Sequence, residues 1–191
     1  MPTTRLEAFS DGIFAIAITL LVLEIHVPAG DHLWHKLGDL WPSYAGYVVS
    51  FLTIGIIWVN HHSTFSRITT VDRPLLFLNL LLLLTVAFLP FPTALVAEHL
   101  REGTDEDVAA AVYAASLLVM GAGFFATAVY AQRLHRLPRE IIRAVAARNA
   151  IGQGGYVLAF AMAFVSAAAS LAICGLVALF YVFPGRDIGS A

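Results

Sequence analysis

The chain has 191 residues, 59% of them hydrophobic and only 13% charged, with a net charge of −2. Soluble domains carry about 25% charged residues, so this composition, with a mean hydropathy of +0.80, excludes a soluble globular domain and points to a polytopic membrane protein. The charge balance gives no basis for nucleic-acid binding, and the single cysteine, Cys174, excludes an internal disulfide framework.

The N-terminus lacks a basic n-region, and Asp11 interrupts its apolar start, so the first helix is expected to stay in the mature protein rather than be removed as a signal peptide. That helix forms a first span over about 5–25. Past Asp11 it is long and apolar enough to cross a bilayer, yet it carries Arg5, Ser10 and Asp11 at one end and Glu24 at the other. An ionisable group within a span is costly and faces the protein interior or a water path. Projected at about 100° per residue, Arg5, Phe9, Gly12, Ile16, Leu20 and Leu23 fall on one stripe with Thr19 at its edge. Asp11 and Ser10 lie about 140° and about 120° from Ile16 on opposite sides. The helix thus has an apolar ridge and a polar inner end.

A loop with Pro28, Gly30, Asp31, His32, His35, Lys36 and Asp39 follows, then a second span over about 41–63 that closes on Trp58, Asn60, His61 and His62. Asp72 followed by Pro74 reads as a helix cap and a first-turn proline. The third span runs over about 75–90, kinked or ended by Pro90 and Pro92. An acidic loop leads to the fourth, alanine- and glycine-rich, over about 108–130. A basic connection through Arg133, Arg136, Pro138 and Arg139 precedes a fifth span over about 145–164. The sixth covers about 167–183 and is stopped by Pro184 and Gly185. Small residues around Ser166 favour two short helices there over one long one. The expected fold is an all-α membrane protein with six transmembrane helices in one domain, 1–191.

Charge sets the orientation. With six spans, Arg5, Arg67, Arg73, Arg133, Arg136, Arg139, Arg143, Arg148 and Arg186 share one side, against Lys36 and Arg101 on the other. Both termini are therefore expected in the cytoplasm, in a multi-pass protein of the cell membrane. Glu24, Asp31, Asp39, Glu98 and Glu102 then give the outer side a negative potential that concentrates cations, besides keeping the loops solvated.

The same topology brings Asp11 and His61 to similar depth, each six residues inside an arginine, with Arg5, Phe9, Ser10, Trp58 and Asn60 in range. An ionised carboxylate in hydrocarbon needs a partner. The residues read as a hydrogen-bonded clamp between spans one and two. A proton relay through the histidines is a second reading, and a metal site of His61, His62 and Asp11 a third. Adjacent histidines on a helix point about 100° apart and do not easily share one ion.

Among function classes, a transporter would break its helices around a polar site at mid-membrane. Here the prolines lie near a helix end, and no charge cluster lies at the midplane. A membrane enzyme would need a nucleophile with a base in reach, and Ser10 and Asp11 face apart. The remaining readings are a scaffold, with the ridge as ordinary packing, and a channel.

Arg5-x-x-x-Phe9-Ser10-Asp11 resembles the R-x-x-x-F-S-D signature of the transmembrane protein 175 family of potassium channels. The continuation Gly12 to Ile25 is similar to its bacterial members, as is Trp58-x-x-His61 at the end of span two. Animal members carry two such six-span repeats, and this chain carries one. The resemblance implies that the first helices of four repeats line a central pore without a TVGYG filter. Its constriction would be apolar, at Ile16, Leu20 and Leu23, with a hydroxyl from Thr19. One repeat per chain implies a homotetramer. The function so implied is a cation channel with weak to moderate potassium selectivity, potassium permeant, no cofactor, and no partner beyond itself and lipid. A proton-permeable channel or a secondary cation transporter is the alternative.

Overall fold

In lipid, a single segment satisfies its own backbone only by coiling into a helix, and every element among the described residues is helical. The computed structural model describes residues 3–135 and 139–182; Arg136, Pro138, Phe183, Pro184, Gly185 and Arg186, which entered the expectations above, lie outside the described residues. The order is α1 (Thr4–Leu20), a 3-10 turn (Leu21–Glu24), α2 (Leu33–Asp39), α3 (Trp41–Phe65), α4 (Arg73–Phe88), α5 (Pro90–Glu102), α6 (Glu106–Leu134), α7 (Arg139–Ala163) and α8 (Ala167–Val182).

Among the described residues, four stretches are long and apolar enough to cross a membrane: Thr4–Glu24, Trp41–Phe65, Arg73–Glu102 and Glu106–Leu134. Ala167–Val182 is apolar but shorter. α7 has 25 residues, and its first half carries Arg143, Arg148 and Asn149. The protein is thus a multi-pass membrane protein of all-helical class.

At Pro90 and Pro92, where a kink or an end is expected, the helix of the third stretch is interrupted at Leu89 and resumes as α5 to Glu102. Pro90 sits at the first position of α5, where a missing N–H costs little, and Leu89 keeps right-handed helical angles (φ −59°, ψ −32°). The ladder is restored when Thr93 N–H donates to Leu89 O at 3.2 Å. The stretch ends at Gly103, whose φ of +72° suits a residue without a Cβ. Its start is capped as the sequence suggests: Asp72 accepts from Leu75 N–H at 3.0 Å, and its other oxygen accepts from Tyr130 OH at 2.7 Å, tying α4 to α6.

α6 occupies the centre and packs on α3, α4, α5, α7 and α8. Its buried face is small: Ala110, Ala114, Gly121, Ala128 and Ala131 allow close approach of its neighbours. Gly121 is pressed so closely by α7 that a Cβ there would lie 2.6 Å from Gln153 Nε2. The main core joins Phe14, Leu21, Ile54, Leu82, Val86, Tyr113 and Leu117 across α1 with its 3-10 turn, α3, α4 and α6. A second cluster, Leu6, Phe65, Ile68, Val71, Leu75 and Ala131, closes the end where α1 begins.

α1 stands at the margin. It packs on α3 and α4, and its 3-10 turn reaches α3 and α5. Leu6, Ser10, Phe14, Ala17 and Leu21 are its buried positions, three or four residues apart on one face.

Candidate pore helix and the polar network behind it

The marginal position of α1 divides its residues. The face toward α3 and α4 is buried, and the opposite ridge is uncovered within the chain: Phe9 is 52% exposed, Ile16 59%, Leu20 41% and Leu23 70%. Thr19 lies on the same open side and donates its hydroxyl proton to Ile16 O at 2.9 Å. With its proton used on Ile16 O, the Thr19 oxygen keeps capacity to accept. Ile16 and Leu20 belong to α1 proper, whereas Leu23 belongs to the tighter 3-10 turn.

Behind the ridge a chain of hydrogen bonds joins three helices. Ser10, fully buried on α1, donates to Leu6 O at 2.8 Å. With its proton spent there, Ser10 Oγ accepts from Asn79 Nδ2 of α4 at 3.0 Å. That fixes the Asn79 amide, so its Oδ1 faces His61 Nε2 of α3 at 2.8 Å. An amide oxygen only accepts, so His61 carries its proton on Nε2. The imidazole is stacked on Phe65 (ring centroids 4.3 Å apart) and meets the edge of Phe14 at 5.4 Å. Ser10, His61 and Asn79 are all buried, and an unpaired member would carry the cost of a lost hydrogen bond in a region without water.

Of the residues in range of Asp11, its partner is Trp58 and not His61. The carboxylate accepts from Trp58 Nε1 at 2.8 Å, on the exposed side of the α1–α3 seam. The Trp58 ring in turn lies against His62 (centroids 6.4 Å apart). His61 and His62 therefore face different surroundings, one inside on Asn79 and one outside on Trp58. Asn60 is not part of the cross-helix chain: its amide donates to Ile56 O of its own helix at 2.7 Å. Arg5 and Phe9 lie on the exposed side of α1. Of the seven residues grouped from the sequence, Ser10 and His61 are thus joined through Asn79, Asp11 is joined to Trp58, and the others stand apart. Asn79 was not singled out. Its signal was present, as the one amide in the run from Leu75 to Val86.

A second polar cluster lies deeper in the bundle. Ser50 Oγ is 2.7 Å from Thr93 Oγ1 and 2.8 Å from Tyr113 OH, joining α3, α5 and α6. All three are buried, and Thr93 also bonds Leu89 O at 2.8 Å, just where the α4–α5 break leaves carbonyls to satisfy.

The comparison with known proteins bears on this arrangement. A family model described as endosomal/lysosomal potassium channel TMEM175 matches residues 5–90. A crystal structure of a lysosomal potassium-selective channel TMEM175 homolog from Chamaesiphon minutus is 42% identical, covers 94% of this chain and 96% of that one, and superposes with a TM-score of 0.86. This chain belongs to the TMEM175 family. Within that family a potassium channel of Streptomyces collinus is 54% identical over 187 residues, 94% of this chain and 91% of that protein. The endosomal/lysosomal proton channel TMEM175 of Gallus gallus is 37% identical over 113 residues, 53% of this chain but 23% of that much longer protein. The stretch matched by the TMEM175 family model contains α1, α3 and α4, and with them the whole Ser10–Asn79–His61 chain and the Asp11–Trp58 pair.

Proposed function

We propose that this protein is a potassium channel of the cell membrane whose pore forms where four copies bring their α1 helices around a common axis. The observation that carries the reading is the uncovered ridge of α1. Ile16, Leu20 and Leu23 are 59%, 41% and 70% exposed in a helix whose other face is fully engaged. A helix held firmly from behind and bare in front suits a pore wall. Four-fold closure would turn identical ridges toward each other. Relatives that align over 94% of this chain are potassium channels by name.

In this reading the ring of apolar side chains is the constriction, narrow enough to exclude water when closed and wetting as the helices tilt. Potassium sheds hydration water more readily than sodium, so the ring favours it modestly, and the accepting oxygen of Thr19 replaces part of the lost shell. The selectivity so produced is weak to moderate, because no rigid cage of carbonyls takes part. The six crossings are α1, α3, α4 with α5, α6, α7 and α8. Both termini lie in the cytoplasm, on the side of the arginines, and Glu24, Asp31, Asp39, Glu98 and Glu102 lie at the outer mouth.

The test is purified protein in liposomes under a potassium gradient, with molar mass measured in detergent. Potassium-dependent flux from a tetramer supports the reading. A monomer, or a tetramer without flux, overturns it. Because the chicken relative is named a proton channel, an internal pH dye is read in the same vesicles; proton flux without potassium current would favour that second reading.

A further inference from the structure

We propose that α2 is an interfacial helix whose apolar side lies in the headgroup layer of the outer leaflet, fastening the outer end of α1 to the membrane surface. α2 lies at the far end of the connection, residues 25–40, between two stretches long enough to cross the bilayer, Thr4–Glu24 and Trp41–Phe65. That connection starts and ends at the membrane surface, and α2 ends two residues before Trp41. At about 100° per residue Leu33, Trp34 and Leu37 share an arc about 100° wide, while His35, Lys36 and Asp39 occupy the other side.

The structure leaves two of these three side chains uncovered, with Leu37 half-buried. Leu33 is 53% exposed and Trp34 88%. None of the residues of α2 is buried. The polar side is already used: Lys36 Nζ donates to Ala29 O at 2.5 Å, and His32, at a left-handed φ of +62°, turns the chain so that His35 and Lys36 N–H donate to its carbonyl. The fold-back thus holds the loop on the polar side and leaves the indole side open.

Lipid is the occupant that this surface fits. Tryptophan prefers the headgroup layer, where the ring is buried and the N–H stays wet. The bare apolar surface continues from α2 onto the first turns of α3 through Trp41 (53% exposed), Tyr44 (38%) and Val48 (49%). That is the order, aromatic above aliphatic, of a surface passing from interface to hydrocarbon. A flanking set of histidine, lysine and aspartate on the opposite side suits water above it.

The experiment uses full-length protein in liposomes, with spin labels placed singly at Leu33→Cys, His35→Cys and Asp39→Cys in a Cys174→Ala background. Collisions with oxygen report lipid, and collisions with a water-soluble nickel complex report solvent. The expected result is several-fold higher oxygen than nickel accessibility at position 33, inverted at 35 and 39. Equal nickel accessibility at all three would overturn the proposal in favour of a solvated loop. A position 33 shielded from both reagents and immobile would overturn it in favour of a neighbouring copy. Unlabelled protein provides a second measurement that does not depend on the cysteine variants. The emission lost in Trp34→Phe should be quenched by lipids brominated near the headgroup. Emission from Trp34 that is indifferent to brominated lipid would also overturn the proposal.

Discussion

Asn79 of α4 and Ser10 of α1 meet at 3.0 Å across 69 residues of chain, and the direction of that one hydrogen bond sets the donors and acceptors of everything attached to it. Ser10 has given its proton to Leu6, so Asn79 must offer its NH2 to Ser10 and its oxygen to His61. Asn79→Leu should strand the His61 N–H and take from Ser10 Oγ its cross-helix partner, while Ser10 keeps its bond to Leu6 O. A cost of about 1–3 kcal/mol is expected for each buried polar group left unpaired. The measurement is thermal unfolding in detergent. Asn79→Leu is expected to melt well below the wild type, and Ser10→Ala less so, because it removes the bonds to Leu6 O and from Asn79 Nδ2 but leaves the His61–Asn79 pair intact. Equal melting of all three proteins would remove the network from the account of stability.

The Asp11–Trp58 pair gives a coupling test. Asp11→Asn keeps an acceptor for the indole N–H, while Asp11→Ala and Trp58→Phe each remove the bond. The two breaking substitutions should be non-additive when combined, with the double variant close to either single one, and Asp11→Asn should remain near the wild type. Additive losses in a double-mutant cycle of stability would show that the two residues act separately.

On the ridge, Ile16→Asn should raise potassium conductance and weaken discrimination between potassium and sodium, because an amide wets a ring that an isobutyl-sized side chain keeps dry. Current through single channels in planar bilayers measures this. Unchanged conductance and ion preference in the variant would exclude Ile16 from the constriction.

The α7–α8 pair tests packing away from the pore. Gly152 lies under the ring of Tyr181, with no room for a Cβ, and Tyr181 OH is held by Arg148 O at 2.8 Å. Gly152→Ala must push the ring aside and break that bond. Overpacking of this kind costs about 1–3 kcal/mol, visible as a lower melting temperature. Tyr181→Phe in the same background should restore little, since the ring itself, and not only its hydroxyl, occupies the space. Gly154→Ala, whose Cβ would meet nothing within 4 Å, serves as the matched control and should leave melting unchanged.

The parts of this molecule that were readable from its sequence are those that depend on neighbours a few residues away. Long apolar runs state the all-helical membrane class, because lipid leaves the backbone no other open choice. The period of α1 separates Ile16, Leu20 and Leu23 from Ser10 and Phe14, since a helix repeats its faces every turn. Asp72 with Pro74 likewise states a helix start. The partner of Asp11 was not readable. Trp58 and His61 sit almost a turn apart on one helix, and which of them meets Asp11 depends on how α1 is rotated against α3. Asn79 was obscured for a related reason: its partners are 18 and 69 residues distant, and nothing in the leucines around it marks their approach. The continuation past Pro90 was ambiguous because proline permits either a stop or a fresh first turn. The choice rests on Leu89 and on the Ser50–Thr93–Tyr113 cluster that stabilises the junction from outside it.

The change of winding at Leu21 carries a mechanical corollary. Over Leu21–Glu24 the chain coils three residues to the turn instead of 3.6, so Leu23 stands nearly in line above Leu20, where continued α-helix would set it about 60° aside. Relaxing those four residues into ordinary pitch would shorten the segment by about 2 Å and swing Leu23 sideways, with Ile16 and the anchored half below it left where they are. Leu23 is therefore mounted on a swivel, and Ile16 on a fixed post.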